Sequence, residues 1–158
     1  MQKRILTGLT MLMLITAVAL MAALVSAHAQ TSRQIVADVP FDFAVGGKSL
    51  KAGEYSVKRF TTSGDTVLIS NKASHESVVR ITNTIQSGIV PKQAKLVFHR
   101  YGQRYFLSEI WTTGDQTGRQ LLKSSEERAV EKQLAAIPSK SELAQHRYER
   151  VEILAAIR

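Results

Sequence analysis

The 158 residues, 44% hydrophobic and 22% charged, suffice for one domain with its own core and are too few for two comfortable ones. The absence of cysteine excludes disulfides, thiol nucleophiles, Cys-ligated metals and sulfur-linked lipid anchors. A formal charge of +8 points to anionic partners, and for an exported chain those are lipid headgroups, lipopolysaccharide or acidic polysaccharide before nucleic acid.

The first thirty residues read as an export leader. Lys3 and Arg4 precede an uncharged apolar run over residues 5–25, and Ala27-His28-Ala29 places small residues at the two positions a signal peptidase reads. Cleavage is expected between Ala29 and Gln30, leaving 19 basic against 13 acidic residues, a balance of +6. The apolar run approaches the ~20 residues that span a bilayer. An uncleaved anchor is therefore the alternative, with the membrane touched through this segment alone. The expected location is periplasmic or extracellular, with residues 30–123 as a β domain and 124–158 as a helical segment.

Over residues 35–45 the pattern alternates, Val39, Phe41, Phe43 and Val45 against Asp38, Pro40 and Asp42. This predicts one strand. Pro40 has no N–H to give a ladder, so the strand belongs at a sheet edge or carries a bulge there. Gly46-Gly47-Lys48-Ser49 imitates part of a phosphate-binding loop. Asp42, however, stands where that motif needs glycine, and the residues after Ser49 open no helix, so it reads as a turn. Residues 54–60 set Tyr55, Val57 and, past a break, Phe60 against Glu54, Ser56 and Lys58, a half-buried strand. Residues 61–65 form a turn, 66–70 a short strand, 71–76 a loop, and 77–84 a strand carrying Val79 and Ile81 in alternation. Residues 85–93 connect onward, with Pro91 barring a ladder.

Residues 95–111 hold two runs rich in aromatic and β-branched side chains on either side of Gly102-Gln103. Glycine at the first central position of a two-residue turn supplies the positive φ of type II′, so the pattern predicts a β-hairpin whose register the turn dictates. Tyr101 then pairs with Arg104, Arg100 with Tyr105, His99 with Phe106 and Phe98 with Leu107. That arrangement puts Leu96, Phe98, Tyr105, Leu107 and Trp111 on one core-facing side. Residues 112–119 are turn-rich again, and Thr112-Thr113-Gly114-Asp115 echoes the Thr61-Thr62-Ser63-Gly64-Asp65 turn. Six strand candidates at short spacing predict a mainly β fold, an antiparallel β-sandwich or small β-barrel.

At Ser124 the period changes. Ser124-Ser125-Glu126-Glu127 fits a capping box, and Val130, Leu134 and Ile137 follow at helical spacing up to Pro138. Ser139-Lys140-Ser141-Glu142 repeats the cap and predicts a second helix, with Leu143, Val151 and Leu154 near one side and Arg147, Arg150 and Glu152 over the rest. The β domain is thus expected to carry one or two C-terminal helices, the second a partly exposed basic arm.

Pro40-Phe41-Asp42-Phe43-Ala44-Val45-Gly46, residues 50–57 and residues 94–111 together resemble a family of small uncharacterised exported bacterial proteins, over residues 36–130. The resemblance implies an exported β domain and carries no catalytic residue, cofactor or partner. Ala52-Gly53-Glu54-Tyr55-Ser56-Val57 is also similar to the strand openings of extracellular β-sandwich modules.

The mature chain offers His75, His99 and His146 without H-E-x-x-H or other ligand spacing, so neither metal nor cofactor is expected. No G-x-S-x-G elbow is present. Asp38 and Asp42 share a strand face roughly 13–14 Å apart, against the about 5 Å of a retaining glycosidase pair, and no catalytic residue is assigned. His75-Glu76 reads as a solvated turn, and His99 as a packing histidine or one wall of a pocket. The constellation suited to a ligand is His99, Arg100, Tyr101, Arg104 and Tyr105 around the hairpin tip, since guanidinium groups beside aromatic rings suit sugars and anions. Without a ligand the same residues stabilise the hairpin, Arg100 stacking on Tyr105 for about 0.2–1 kcal/mol. The leading expectation is a non-enzymatic exported β domain that binds or supports an anionic envelope component or another envelope protein, without nucleic acid. Behind it stand a barrel-type carrier of a small apolar or anionic ligand, in a cavity lined by hairpin residues, and a hydrolase built on His75 or His99.

Overall fold

The computed structural model describes residues 34–60, 65–135 and 148–158. The leader with Ala29 and Gln30, the Pro138 stop and the second cap at residues 139–142 lie outside them. The described elements are β1 (Ile35–Val39), β2 (Phe43–Val45), β3 (Lys48–Leu50), β4 (Gly53–Arg59), β5 (Thr66–Asn71) and β6 (Ser77–Gln86). They continue as β7 (Ala94–Tyr101), β8 (Arg104–Trp111), β9 (Thr117–Leu121), α1 (Ser125–Ala135) and β10 (Glu149–Ile157).

Eight strands close into an antiparallel barrel in the order β1-β4-β5-β6-β9-β8-β7-β10 and back to β1. Of sandwich and barrel, the chain adopts the barrel. Alternation sorts the side chains: Ile35, Ala37 and Val39 of β1, Tyr55 and Val57 of β4, and Val67 and Ile69 of β5 all face inward and are buried. A barrel of eight strands has an interior just wide enough for side chains to fill it. Tyr55, Ile69, Leu96 and Phe98 fill this one, each at most 1% exposed.

One stretch of wall is assembled differently. β9 pairs with β6 only from Thr82 onward and with β8 only at Glu109 and Ile110, leaving a gap between residues 77–81 of β6 and residues 104–107 of β8. The β2–β3 hairpin fills it. β2 runs parallel to β8 with Ala44 opposite Phe106, while Phe43, Val45 and Leu50 join the core. On the other side β3 is the terminal strand of the sheet order, and side chains make the connection to β6. Arg80 Nη2 donates to the carbonyls of Gly46 (3.0 Å) and Val45 (3.3 Å), and Lys48 lies 3.8 Å from Glu76. Gly46 has φ +56°, and a Cβ there would sit 2.0 Å from Arg80 Nε, so only glycine permits this clasp.

The expected strand over residues 35–45 is therefore two strands. Pro40 terminates β1 instead of marking a sheet edge or a bulge, and β1 lies between β10 and β4. The three residues after Val39 carry the chain across to β8, where β2 begins a different neighbourhood. Phe60 is 61% exposed rather than half-buried, because β4 ends at Arg59. In β6 the inward set is Val78, Arg80 and Thr82, fixed by pairing with Ile69 and Val67 of β5, so Val79 and Ile81 face solvent.

The β7–β8 hairpin has the expected register from Tyr101↔Arg104 through Phe98↔Leu107, and Gly102 has φ +61°. Beyond Leu107 the register shifts, Val97 pairing with Glu109, so Ser108 is an extra residue that reverses the alternation. Trp111 is buried as expected, but the shift takes it off the face shared by Leu96 and Phe98. Ile110 takes the interior place, and Trp111 lies on the outer face, its Nε1 donating to Glu109 (2.7 Å) while its ring rests against Gly118.

α1 begins as expected, with the Ser124 hydroxyl accepting from the N–H of Glu127 at 3.0 Å. The predicted second helix does not extend over residues 149–157. These form β10, which fills the space between β7 and β1 and sets Val151 opposite Phe98 and Ile153 opposite Leu96. Its Glu, Arg, Leu and Ala content suits a helix, but two strand edges with waiting core positions outweigh a few tenths of a kcal/mol per residue of propensity. The helical segment expected over residues 124–158 is thus α1 followed by a barrel strand.

Candidate functional site

The five hairpin residues separate onto two faces. Arg100 and Tyr105 point toward the filled end of the barrel, where the Arg100 guanidinium lies 5.5 Å from the Tyr105 ring centroid and Tyr105 stacks on Phe41 at 3.8 Å. His99, Tyr101 and Arg104 lie on the outer face, where α1 covers the first two. Arg104 pairs with Glu126 of α1, and Arg100 pairs with Glu149 of β10 at 3.1 Å, so both guanidinium groups already have carboxylate partners. Arg104 and Tyr105 do line a cleft of about 230 Å³, but its other charges, Asp42, Lys51 and Glu126, are likewise paired. Within it, the hydrogen bond from Lys51 holds the Asp42 carboxyl below its ordinary range.

Beneath α1, His99 Nδ1 and Glu127 Oε1 share a hydrogen bond of 2.9 Å and both side chains are buried. Glu127 was the residue expected to complete the capping box, and it turns to His99. Tyr148 lies over the His99 ring at 4.1 Å, and Ala44, Tyr101, Phe106 and Val130 form a second apolar cluster. The Tyr101 hydroxyl is buried without a hydrogen-bond partner among the described residues, and burial, helped by the nearby Glu127 and Glu131 carboxylates, holds its pKa well above 10. The cluster is a packed joint between helix and wall. His99 does not line the cavity described next, and His75 occupies an exposed turn with φ +58°.

The opposite end of the barrel is built for access. Here β1 begins, β4, β8 and β10 finish and the β8–β9 loop turns, and a cavity of about 290 Å³ opens among them. Ile35, Val57, Val67, Ile110 and Ile157 supply apolar walls, and Thr112, Thr113, Thr117, Asp115, Lys58, Arg59 and Arg119 surround them. Alternation gives Arg59 the inward parity of Val57, and Arg119 that of Leu121. Arg119 Nη1 donates to Thr84 Oγ1 (2.6 Å) and Asp65 Oδ1 (3.4 Å). Its Nε and Nη2, and the charged groups of Lys58 and Arg59, have no partner among the described residues. An apolar hollow edged by cations that are not fully paired among the described residues makes this mouth the candidate site.

Among the described residues no group of His, Asp and Glu is placed to hold a metal ion, and no helix is long and apolar enough to cross a membrane. Comparison with protein-family models, with curated proteins and with solved structures returns no match. Sequence reasoning missed Arg59, Arg119 and the walls around them because β9 carries a single apolar core residue and reads as loop. One signal was present: of the two echoing segments, Thr112–Asp115 lines the cavity, and Asp65, the last residue of the other, pairs with Arg119.

Proposed function

We propose that this chain is an exported, non-enzymatic binding module, a member of the uncharacterised family it resembles, and that it holds a small molecule at the barrel mouth. The observation that carries the reading is the cavity itself, with apolar walls and a cationic edge, at the lower end of the about 300–1,000 Å³ typical of ligand pockets. The filled interior behind it argues against a deep carrier of the kind expected behind the hairpin. Native mass spectrometry of the protein recovered after export tests the reading. A reproducible small adduct, lost on denaturation and absent from Ile110→Phe, supports it, while a bare mass at every charge state counts against it. The denatured mass of the same sample reports cleavage after Ala29.

A second reading draws on the outer wall. Val79, Ile81 and Leu122 are exposed beside a cleft of about 360 Å³, an apolar row that suits contact with another envelope protein. Crosslinking from position 81 to a defined protein, with Ile81→Ser abolishing it, would favour this role.

A further inference from the structure

We infer that the occupant of the mouth is a free, singly anionic amphiphile of about ten heavy atoms, a carboxylate or sulfate on a single short alkyl chain. The inference rests on the reading of the mouth as the binding element and adds the ligand's chemistry. Arg119 supplies the head-group contact. Thr84 and Asp65 both engage its Nη1 and hold the guanidinium in place, so the Nε–Nη2 edge is left as a planar fork of the kind that takes a carboxylate with two parallel hydrogen bonds. Arg59 and Lys58 line the same mouth with no carboxylate partner among the described residues and bring the cations there to three.

Asp65 neutralises part of the Arg119 charge, and Asp115 sits on the rim. The local excess is about one positive charge, which favours a monoanion over a phosphate dianion. Ile35, Val57, Val67 and Ile110 then receive the tail. Its length is limited from below, because Tyr55, Ile69, Leu96 and Phe98 close the interior under them. At about 30 Å³ per water-sized group, 290 Å³ holds roughly ten such groups, one head and six to eight carbons. Two acyl chains do not fit, so a bilayer lipid is not the occupant.

Isothermal titration of the protein at low salt with octanoate, octyl sulfate, octanol and octylamine tests the class, and hexanoate and dodecanoate test the size. The expected result is saturable binding of octanoate and octyl sulfate, at least tenfold weaker binding of octanol, and none of octylamine. Affinity should rise about fourfold per methylene up to eight carbons and then stop rising. Arg59→Gln, an exposed position that leaves the fold intact, should weaken octanoate three- to tenfold without changing octanol. Ile110→Phe should abolish the chain-length dependence, with an unchanged circular dichroism spectrum showing that the barrel survives. Equal binding of octanol or octylamine overturns the ligand class and leaves the mouth as a binding site. Absence of binding by all six compounds overturns both. Octanoate binding that ignores both substitutions places the ligand elsewhere and overturns the inference, as does Arg59-dependent retention on phosphatidylglycerol vesicles without any binding of free octanoate.

Discussion

At the end where β7 and β8 turn, the barrel is filled with rings: Phe43 meets Tyr55 and Phe98 edge-on at 4.9 and 5.2 Å, and Phe41 meets Phe98 at 5.2 Å. At the end where β1 begins, aliphatic side chains stop short of the rim, and Arg119 and the exposed Arg59 edge the cavity they leave. The first end holds the fold together and has its charges paired. The second pairs Arg119 with Asp65, leaves Arg59 and Lys58 without a carboxylate partner among the described residues, and has room above the core. Stability and access are thus concentrated at opposite ends of the same eight strands, as expected when a rigid scaffold presents a site on its loops.

Substitutions at the filled end should cost stability, and those at the mouth should not. Phe98→Ala removes the ring that Phe41 and Phe43 both pack against and should cost about 3–5 kcal/mol in urea unfolding. A loss below about 1 kcal/mol would mean that the ring cluster is not the main store of stability. Gly46→Ala comes next. The left-handed backbone alone costs roughly 1–2 kcal/mol, and the new methyl displaces Arg80, so amide exchange should accelerate in residues 77–81 while the mouth strands stay protected.

Tyr101→Phe should act in the opposite direction. It removes a buried hydroxyl without a partner and should stabilise by on the order of 1 kcal/mol near neutral pH. Its pH dependence has a definite sign. The unfolded tyrosine ionises near 10 whereas the folded one stays protonated above that, so the wild type loses stability as pH rises beyond 10. The variant should lose less over that window, with Tyr55, also raised by burial, supplying the remainder. Smallest of all, Arg59→Gln should leave the unfolding midpoint unchanged within about 0.5 kcal/mol. A larger loss would mean that the mouth, too, is structural.

What was legible in the sequence follows the same division. The hairpin register could be read because Gly102 admits one turn type and the turn counts residues outward from itself. The face of Trp111 could not, since Ser108 looks like any strand residue and bulges without a marker. β3 and β9 are three and five residues long with one core side chain each, below what a period-2 pattern can signal. β10 did show the period, in Val151, Ile153, Ala155 and Ile157, but Leu143, Val151 and Leu154 fit a helix as well, and only the vacant place between β7 and β1 decides. The paired cluster at the hairpin tip drew attention because its residues are neighbours in sequence. Arg59 and Arg119 are brought together by barrel closure alone, which no local pattern records.

The position of β10 has a consequence for the order of assembly. Ile35 faces Ile157 across the β1–β10 seam, so that ladder joins segments from opposite ends of the described chain. A nascent chain that has not yet reached residue 149 carries bare edges on β1 and β7, and contacts this distant in sequence form late and slowly. Until then the ring-filled half can collapse but the circuit of strands cannot close. The same seam makes the incomplete chain the species most exposed to edge-to-edge association, and therefore the one that most needs to be held apart from its copies before the last strand arrives.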